Sequence, residues 1–363
     1  MNRKLLIFHP TIAPYRIDFF NDLYNAFETR ICLEYRNLKD QKFDYDKIES
    51  QFAFNPIYLE NSENEGIWKH LDEFNPDIVL VSEYSKTALM VILHRFIKRK
   101  KYKIVSLCDD SYNMVAENND FSKKHRFARR IVVPMLDELV LVDSRTDDWY
   151  KKNYGKGCYF PIIKPDEKAR EEYRRIIPLS REYATLNNLH GKKIILFVGR
   201  LVELKNVDSA IRAFSRLDQK GNVFVIVGDG PEKEKLMALS KVLGTNTIFT
   251  GRLEGDKLNA WYNIAQVFIL SSYQEAFGAV TNEALLAGCK ALVSSKAGSQ
   301  CLILKGINGD TFNPMDIEEI AQKMQESFDK VNPLEQIELK DNLMQVSYND
   351  LMKDLIKRLK DLM

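Results

Sequence analysis

The chain has 363 residues, of which 45% are hydrophobic and 29% charged, with 53 Lys+Arg against 51 Asp+Glu. The length suits about two domains, and the composition is that of a soluble globular protein. A formal net charge of only +2 speaks against a general nucleic-acid binder. The five cysteines are scattered and odd in number, with no Cys-x-x-Cys, as expected of reduced thiols in a cytoplasmic protein. The apolar start ends at His9-Pro10, too short for a secretory h-region. No stretch approaches the ~20 apolar residues of a membrane span.

Lys4 to His9 reads as a first strand, followed by a loop through Pro14 and a helix from Tyr15 to Phe27. A strand is expected at Ile31 to Tyr35, then an irregular stretch to Asn64 with a strand at Ile57 to Leu59. Ile67–Phe74 reads as a helix and Asp77–Val81 as a strand. Lys86–Lys100 is an amphipathic helix with a basic end. Lys103–Leu107 is a strand that runs into the acidic loop Cys108-Asp109-Asp110-Ser111. A basic helix spans Ser122–Val133. Leu139–Val142 is a strand, and Ser144–Lys152 a helix capped by Ser144. Strands alternating with helices imply a doubly wound parallel sheet. Ligands sit beyond the carboxyl ends of such strands, which places His9, Glu83 and Asp109–Ser111 near a site.

Phe160–Lys192 breaks the alternation and reads as a connection with one short helix. A second α/β unit then begins. Strands are expected at Lys193–Val198, Val223–Val227, Thr247–Thr250, Val267–Leu270 and Lys290–Ser294. Helices are expected at Val207–Leu217, from Glu232, at Asp256–Ala265, at Ile317–Phe328 and through most of Leu334–Met363. The division is thus a first domain at 1–165, a second at 190–335 and a C-terminal helical segment at 336–363. Of 16 glycines, 13 lie between Gly191 and Gly309. Glycine is needed where backbone approaches phosphate, so a nucleotide belongs to the second half and the other substrate to the first.

The stretch Ser271–Gly288 carries most of the chemistry. A buried strand leads into a loop with Glu275, Phe277 and Gly278, then a helix containing Glu283 and stopped by Gly288. A helix start binds anions through unpaired N–H groups, and Gly278 allows close approach. A carboxylate on either side can accept from hydroxyls flanking that anion, as a nucleotide-sugar would present them. Arg200 and Lys205 follow another strand end and can neutralise a diphosphate.

Taken in order, Val198-Gly-Arg200 with Lys205-Asn206, Val227-Gly-Asp-Gly-Pro231, Phe249-Thr-Gly251, Ser272-Tyr-Gln-Glu275-Ala-Phe-Gly278, and Glu283 with Gly288 resemble the C-terminal domain of retaining glycosyltransferase family 4. The resemblance covers about Lys193 to Pro314. It implies the GT-B architecture, two Rossmann-like doubly wound parallel-sheet domains facing across a cleft, with the C-terminal helix packing back towards the first. It also implies roles. Arg200, Lys205 and Glu275 become catalytic, the cations on the donor diphosphate and Glu275 on the sugar hydroxyls. Gly199, Phe277, Gly278 and Ala279 join the donor site, Glu283 takes the ribose hydroxyls, and Gly251 with Arg252 lies beside the base.

The family is metal-independent, so no metal or other cofactor is expected. The leaving phosphate assists deprotonation of the acceptor, and no dedicated base is required. Asp44-Tyr-Asp46 mimics a metal-binding Asp-x-Asp but does not follow a strand. Two departures stand out. The family's Gly-Gly-x-x-Glu is Ala297-Gly298-Ser299-Gln300-Cys301 here, and the glycine-rich first loop is replaced by His9 to Arg16, which looks like a Pro-Tyr-Arg subgroup of bacterial surface-polysaccharide enzymes. His9, Tyr15, Arg16, Asp109 and Asp110 are the acceptor-side candidates. The expected partners are a nucleotide-sugar donor, UDP-linked in this reading, and a glycan or lipid-linked glycan acceptor, with no nucleic acid. Basic helices of the first domain, with Phe121, Phe127 and Ile131 interleaved, suit contact with the inner face of a membrane. An epimerase of the same fold and a non-catalytic glycan-binding subunit are the alternatives.

Overall fold

The computed structural model describes residues 3–36, 44–59, 65–117 and 122–362. The chain divides into two compact units, one of 1–162 with 348–363 and one of 163–347. In the first unit the elements run β1 (Lys4–His9), α1 (Ile17–Ala26), β2 (Glu28–Leu33), α2 (Tyr45–Glu49), β3 (Ile57–Tyr58), α3 (Glu65–Phe74), β4 (Ile78–Ser82) and α4 (Lys86–Ile97). They continue with β5 (Lys103–Cys108), α5 (Tyr112–Ala116), α6 (Lys123–Val132), β6 (Glu138–Leu141), α7 (Ser144–Tyr154) and β7 (Cys158–Tyr159). The second unit holds α8 (Asp166–Arg175), α9 (Ile177–Leu186), β8 (Lys193–Val198), α10 (Val207–Phe214), β9 (Asn222–Val227), α11 (Lys233–Leu243) and β10 (Thr247–Gly251). It is completed by α12 (Gly255–Ile264), β11 (Val267–Leu270), α13 (Val280–Leu286), β12 (Lys290–Ser294), β13 (Gly309–Phe312) and α14 (Ile317–Asp329). The last helix, α15 (Tyr348–Asp361), returns to the first unit.

Both sheets are parallel and share one strand order. The first is β3-β2-β1-β4-β5-β6-β7 and the second β10-β9-β8-β11-β12-β13. Helices cover both faces of such a sheet, so its central strands must be apolar throughout. β9 and β11 are buried along their whole length, and β1 at every residue but its two ends. The order reverses between β1 and β4 and between β8 and β11. At such a switch the neighbouring loops diverge and leave a crevice at the carboxyl edge.

The departures from expectation have local causes. β2 starts three residues early, because Glu28 and Arg30 enter the sheet paired with Lys4 and stacked on the Phe74 ring. The stretch before β3 contains α2, whose N-cap Asp44 accepts from the N–H of Lys47 (3.3 Å). Asp44-Tyr-Asp46 is thus a helix cap and first turn. α7 is capped by Asp143, not Ser144, through the Arg145 N–H (3.0 Å). The connection expected at Phe160–Lys192 forms two helices instead of one, with Ala169, Tyr173, Ser180 and Ala184 buried on the second unit. Among the described residues of 334–362 only α15 is helical. The preceding segment lies extended along the second unit, Leu334 exchanging backbone bonds with Gly191 and Lys192 (2.8 and 2.7 Å) and the Leu343 N–H donating to Leu285 (2.9 Å). No helix among the described residues is long and apolar enough to cross a membrane.

α15 completes the first unit chemically. Glu138 is buried, and one of its oxygens accepts from the Gly157 N–H (2.7 Å) while the other accepts from Arg358 Nε (2.8 Å). Tyr348 donates to Asp22 (2.7 Å) and packs on Phe160. Arg358→Ala should therefore lower stability by roughly 1–3 kcal/mol, the penalty of an under-bonded buried carboxylate. Adding Glu138→Gln should recover part of that loss. Urea midpoints of the single and double variants check it, and additive losses would show that the pair is not coupled.

Candidate functional site

Of the residues singled out in the second unit, Lys205, Glu275 and the Phe277–Ala279 loop meet at the β8–β11 switch. After β8 the chain passes Gly199 and the exposed Arg200, then turns through a short 3-10 helix ending at Lys205. The next turn is fixed by Asn206 in the left-handed region at φ +52°. This loop is clamped to the one after β9. Leu201 donates to the Asp229 carbonyl (2.9 Å), and a Cβ added at Gly228 would meet the Gly199 oxygen at 1.9 Å.

The loop after β11 comes to the same place. Ser271 Oγ donates to the Lys205 carbonyl (2.8 Å), and the Tyr273 N–H donates to Leu204 (2.9 Å). Lys205 Nζ pairs with Glu275 Oε2, which also accepts from Ser272 Oγ (3.2 Å). Both charged side chains keep a fifth of their surface open to solvent. Gly278 has φ +96°, and a Cβ there would lie 2.6 Å from Leu270. Only glycine fits that corner. Thr281 donates to the Gly278 carbonyl (3.0 Å), so the backbone of Gly278, Ala279 and Val280 heads α13 while the Phe277 ring is buried below.

The segment that departs from the family pattern braces this loop. Glu275 N–H donates to Lys296, Gly298 N–H to Glu275, and Ser299 N–H to Phe277 (3.2, 3.2 and 2.8 Å). Gly298 is kept because a Cβ there would meet the Ala276 oxygen at 2.2 Å. Ser299 Oγ also bonds Thr281 Oγ1 (2.8 Å).

Glu283 is held by residues that no motif marked. One oxygen pairs with Lys164 Nζ (2.7 Å) and the other accepts from Tyr262 OH (3.0 Å). Lys164 is itself fixed through its N–H to Asn282 Oδ1 (2.9 Å). Burial and the Glu283 charge push the Tyr262 hydroxyl well above its ordinary range, so it remains a donor. Gly251 accepts from the Gly228 N–H (2.9 Å), and Arg252 pairs with Glu254 two residues on (2.9 Å).

In the first unit His9, Glu83, Asp109 and Asp110 lie at the carboxyl ends of β1, β4 and β5. His9 Nδ1 lies 2.7 Å from the Thr11 carbonyl, and burial, then Arg16, pushes its pKa down to about 4. Arg16 is buried, pairs with Asp109 and lies over the Phe19 ring, whereas Tyr15 is exposed. The two aspartates diverge. Asp109 keeps 39% of its side chain exposed. Asp110 keeps 1%, accepting from Tyr150 and Tyr84 (2.6 and 3.0 Å) with Arg129 at 3.4 Å, which makes it a core residue and not an open acceptor contact. His125 Nε2, on α6, stands 3.6 Å from both Glu83 and Asp110. Burial, with the charges of Asp110 and Asp109, pushes the Glu83 carboxyl upwards against the opposing effect of His125. Glu83, Cys108 and Asp110 bring metal-ligand atoms within 4.8 Å of one another. Burial and the two carboxylates hold the Cys108 thiol protonated, however, and Asp110 already serves two tyrosines and an arginine.

Residues 182–342 match the family described as glycosyl transferases group 1. A glycosyltransferase of Methanocaldococcus jannaschii, itself uncharacterised, is 36% identical over 133 residues, which are 36% of this chain and 34% of that one. The lipopolysaccharide 1,2-N-acetylglucosaminetransferase of Salmonella typhimurium is 31% identical over 159 residues, 40% of this chain and 42% of that one. The chain thus spans about a third to two fifths of these relatives' lengths. HepE of Anabaena, solved in complex with UDP and glucose, shares the fold over 99% of this chain and all of its own, with a TM-score of 0.73 at 15% identity. The family match falls within the second unit, and the two parallel-sheet units share the fold of GT-B glycosyltransferase structures.

Two outcomes test this geometry. Gly298→Ala should displace the 275–278 loop and cost roughly 1–3 kcal/mol, as overpacking does. An unchanged urea midpoint would show that the contact yields freely. His9 has its folded pKa below the unfolded value of 6.5, so the stability it contributes is full above pH 6.5 and is lost as the pH falls towards 4. His9→Gln should flatten the decline in urea midpoint between pH 7 and 5, and parallel declines would place the acid sensitivity elsewhere.

Proposed function

We propose that this chain transfers a sugar from a nucleotide-sugar, UDP-linked in this reading, to a lipid-linked glycan during synthesis of a bacterial surface polysaccharide, with retention of anomeric configuration. The observation that carries the reading is the Lys205–Glu275 pair set beside Gly278 at the switch of a glycosyltransferase domain. The relative named for lipopolysaccharide synthesis and the neighbour solved with UDP and glucose support the substrate classes.

In this reading Arg200 and Lys205 hold the diphosphate, and a lysine with three donors serves both a phosphate oxygen and Glu275. Glu275, so oriented, accepts from the sugar hydroxyls. Glu283, set by Lys164 and Tyr262, accepts from the ribose. The bond from the anomeric carbon to the diphosphate breaks as the acceptor oxygen forms its own bond to that carbon. The acceptor proton passes to the departing phosphate, whose growing charge the fixed cations and the backbone at Gly278 stabilise. Asp109 and Arg16, with neutral His9, are assigned to the acceptor.

The first experiment is thermal stabilisation by UDP, GDP, ADP and their sugars, with and without EDTA. At a hundred times Kd the selected nucleotide should add about 2.7 kcal/mol, unchanged by the chelator. No shift with any nucleotide would remove the donor site, and a shift abolished by EDTA would remove metal independence. Glu275→Gln should abolish transfer while nucleotide binding persists. Glu283→Gln should weaken nucleotide binding tenfold or more, the range of a charge-assisted hydrogen bond. Transfer at the wild-type rate by Glu275→Gln would overturn the assignment.

A further inference from the structure

We propose that Glu83, steadied by His125, receives a hydrogen bond from the hydroxyl group, of a sugar or of water, that attacks the donor. This rests on the transferase reading above and adds to it a residue of the first unit. Three observations carry it. First, Glu83 is held in a strained backbone. It follows β4 with φ +54°, in the left-handed region. Of the five non-glycine residues in that region among the described residues, three are asparagine, which tolerates it, and Arg99 follows the end of α4. A glutamate at a strand end is the exception. β5 enforces the turn. The Glu83 N–H donates to the Leu107 carbonyl (2.9 Å), and the Glu83 carbonyl accepts from Ser106 Oγ (2.8 Å). The side chain thereby reaches the end of β5, where Oε1 accepts from the Asp109 N–H (3.0 Å). Strain of this kind persists where surrounding bonds over-determine it, and it collects at functional sites.

Second, the other carboxyl oxygen faces a donor that has a second place to go. Glu83 Oε2 lies 3.6 Å from His125 Nε2, and Asp110 Oδ1 lies 3.6 Å from the same nitrogen. Asp110 Oδ1 is buried and has no hydrogen-bond partner. A buried acceptor without a donor is costly. When a hydroxyl takes Glu83 Oε2, a His125 N–H can therefore turn to Asp110, so that one donor replaces another and neither carboxylate is left bare. His125 stands on α6, whose lead-in at 118–121, Phe121 included, lies outside the described residues.

Third, packing does not call for a carboxylate here. Glycine or asparagine would adopt the same backbone with less strain. Glu83 instead places a third carboxyl group beside Asp109 and Asp110. Partial burial, then those two charges, push its carboxyl upwards, while His125 opposes them. Cys108, on β5, is held protonated, and Tyr84, Tyr150 and Arg129 are engaged with Asp110. Asp109 is paired with the buried Arg16. Glu83 keeps 35% of its side chain exposed, so it is the open carboxylate whose donor can leave. In the reaction the attacking oxygen bonds to the anomeric carbon, the bond to the diphosphate breaks, and the proton passes to the diphosphate. Glu83 orients the hydroxyl and keeps no proton.

The test is release of nucleoside diphosphate by the whole chain with water as the acceptor. The donor is whichever of UDP-glucose, UDP-galactose, UDP-N-acetylglucosamine and GDP-mannose raises the wild-type melting temperature most. Glu83→Gln should lower kcat at least about tenfold, the worth of one charge-assisted hydrogen bond, with KM and the nucleotide-induced thermal shift unchanged. Glu83→Gly should lose as much activity yet unfold at a higher urea concentration, because strain and like-charge repulsion leave with the side chain. His125→Phe keeps a ring against Tyr84 but removes what holds the Glu83 carboxyl down. The acidic limb of its kcat profile should therefore move to higher pH, which a merely structural loss would not produce. Wild-type kcat in Glu83→Gln, or an unmoved acidic limb in His125→Phe, would overturn the proposal. So would a wild-type chain that binds the nucleotide-sugar and releases no diphosphate. No thermal shift with any of the four would overturn the transferase reading and this proposal with it, so the two failures are distinguishable.

Discussion

Backbone lies against backbone at the carboxyl edge of the second sheet, and the site depends on that contact. A side chain at Gly228 would collide with the carbonyl of Gly199, and one at Gly298 with that of Ala276. With hydrogen at those positions, the loops after β8 and β9 close on each other, as do those after β11 and β12. Lys205 and Glu275 thereby meet although 69 residues separate them. The concentration of glycine in this half of the chain is a steric requirement of that closure.

The first sheet meets the same topological demand with different material. Among the described residues its carboxyl edge has no glycine-mediated contacts, and side chains do the bracing. Asp110, Tyr84, Tyr150 and Arg129 form a buried polar cluster beside His9, Arg16, Glu83 and Asp109. Buried hydrogen-bonded networks are specific about geometry, since a lost member leaves its partners unsatisfied. One edge is therefore shaped by what it lacks and the other by what it packs.

The parts legible in the sequence are those where one physical signal acts alone. β1, β8, β11 and β12 stand at their expected residues, because a strand covered on both faces must be an unbroken apolar run. The corner at Gly278 was legible because a glycine between a buried strand and a helix marks a tight turn, which its φ of +96° confirms. β13 was missed, since Gly-Asp-Thr-Phe at a sheet edge carries no apolar run. Lys164 was missed for a different reason. It follows a strand of two residues, carries no motif, and meets Glu283 across 119 positions, a pairing that only tertiary packing reveals. Asp109 and Asp110 looked equivalent as neighbours in a loop, yet adjacent residues leaving a strand point to opposite sides, and one became core.

The route of the chain has a consequence for synthesis. The second unit is continuous, from 163 to 347, whereas the first is interrupted and receives α15 only after the second has been made. During translation Glu138 waits some 220 residues for Arg358, and the surface around Phe160 stays uncovered until Tyr348 emerges. The later-encoded unit can thus reach its native state on the ribosome while the earlier-encoded one is still incomplete. Nascent chains stalled before residue 348 would present a folded second unit joined to a first half open to chaperones.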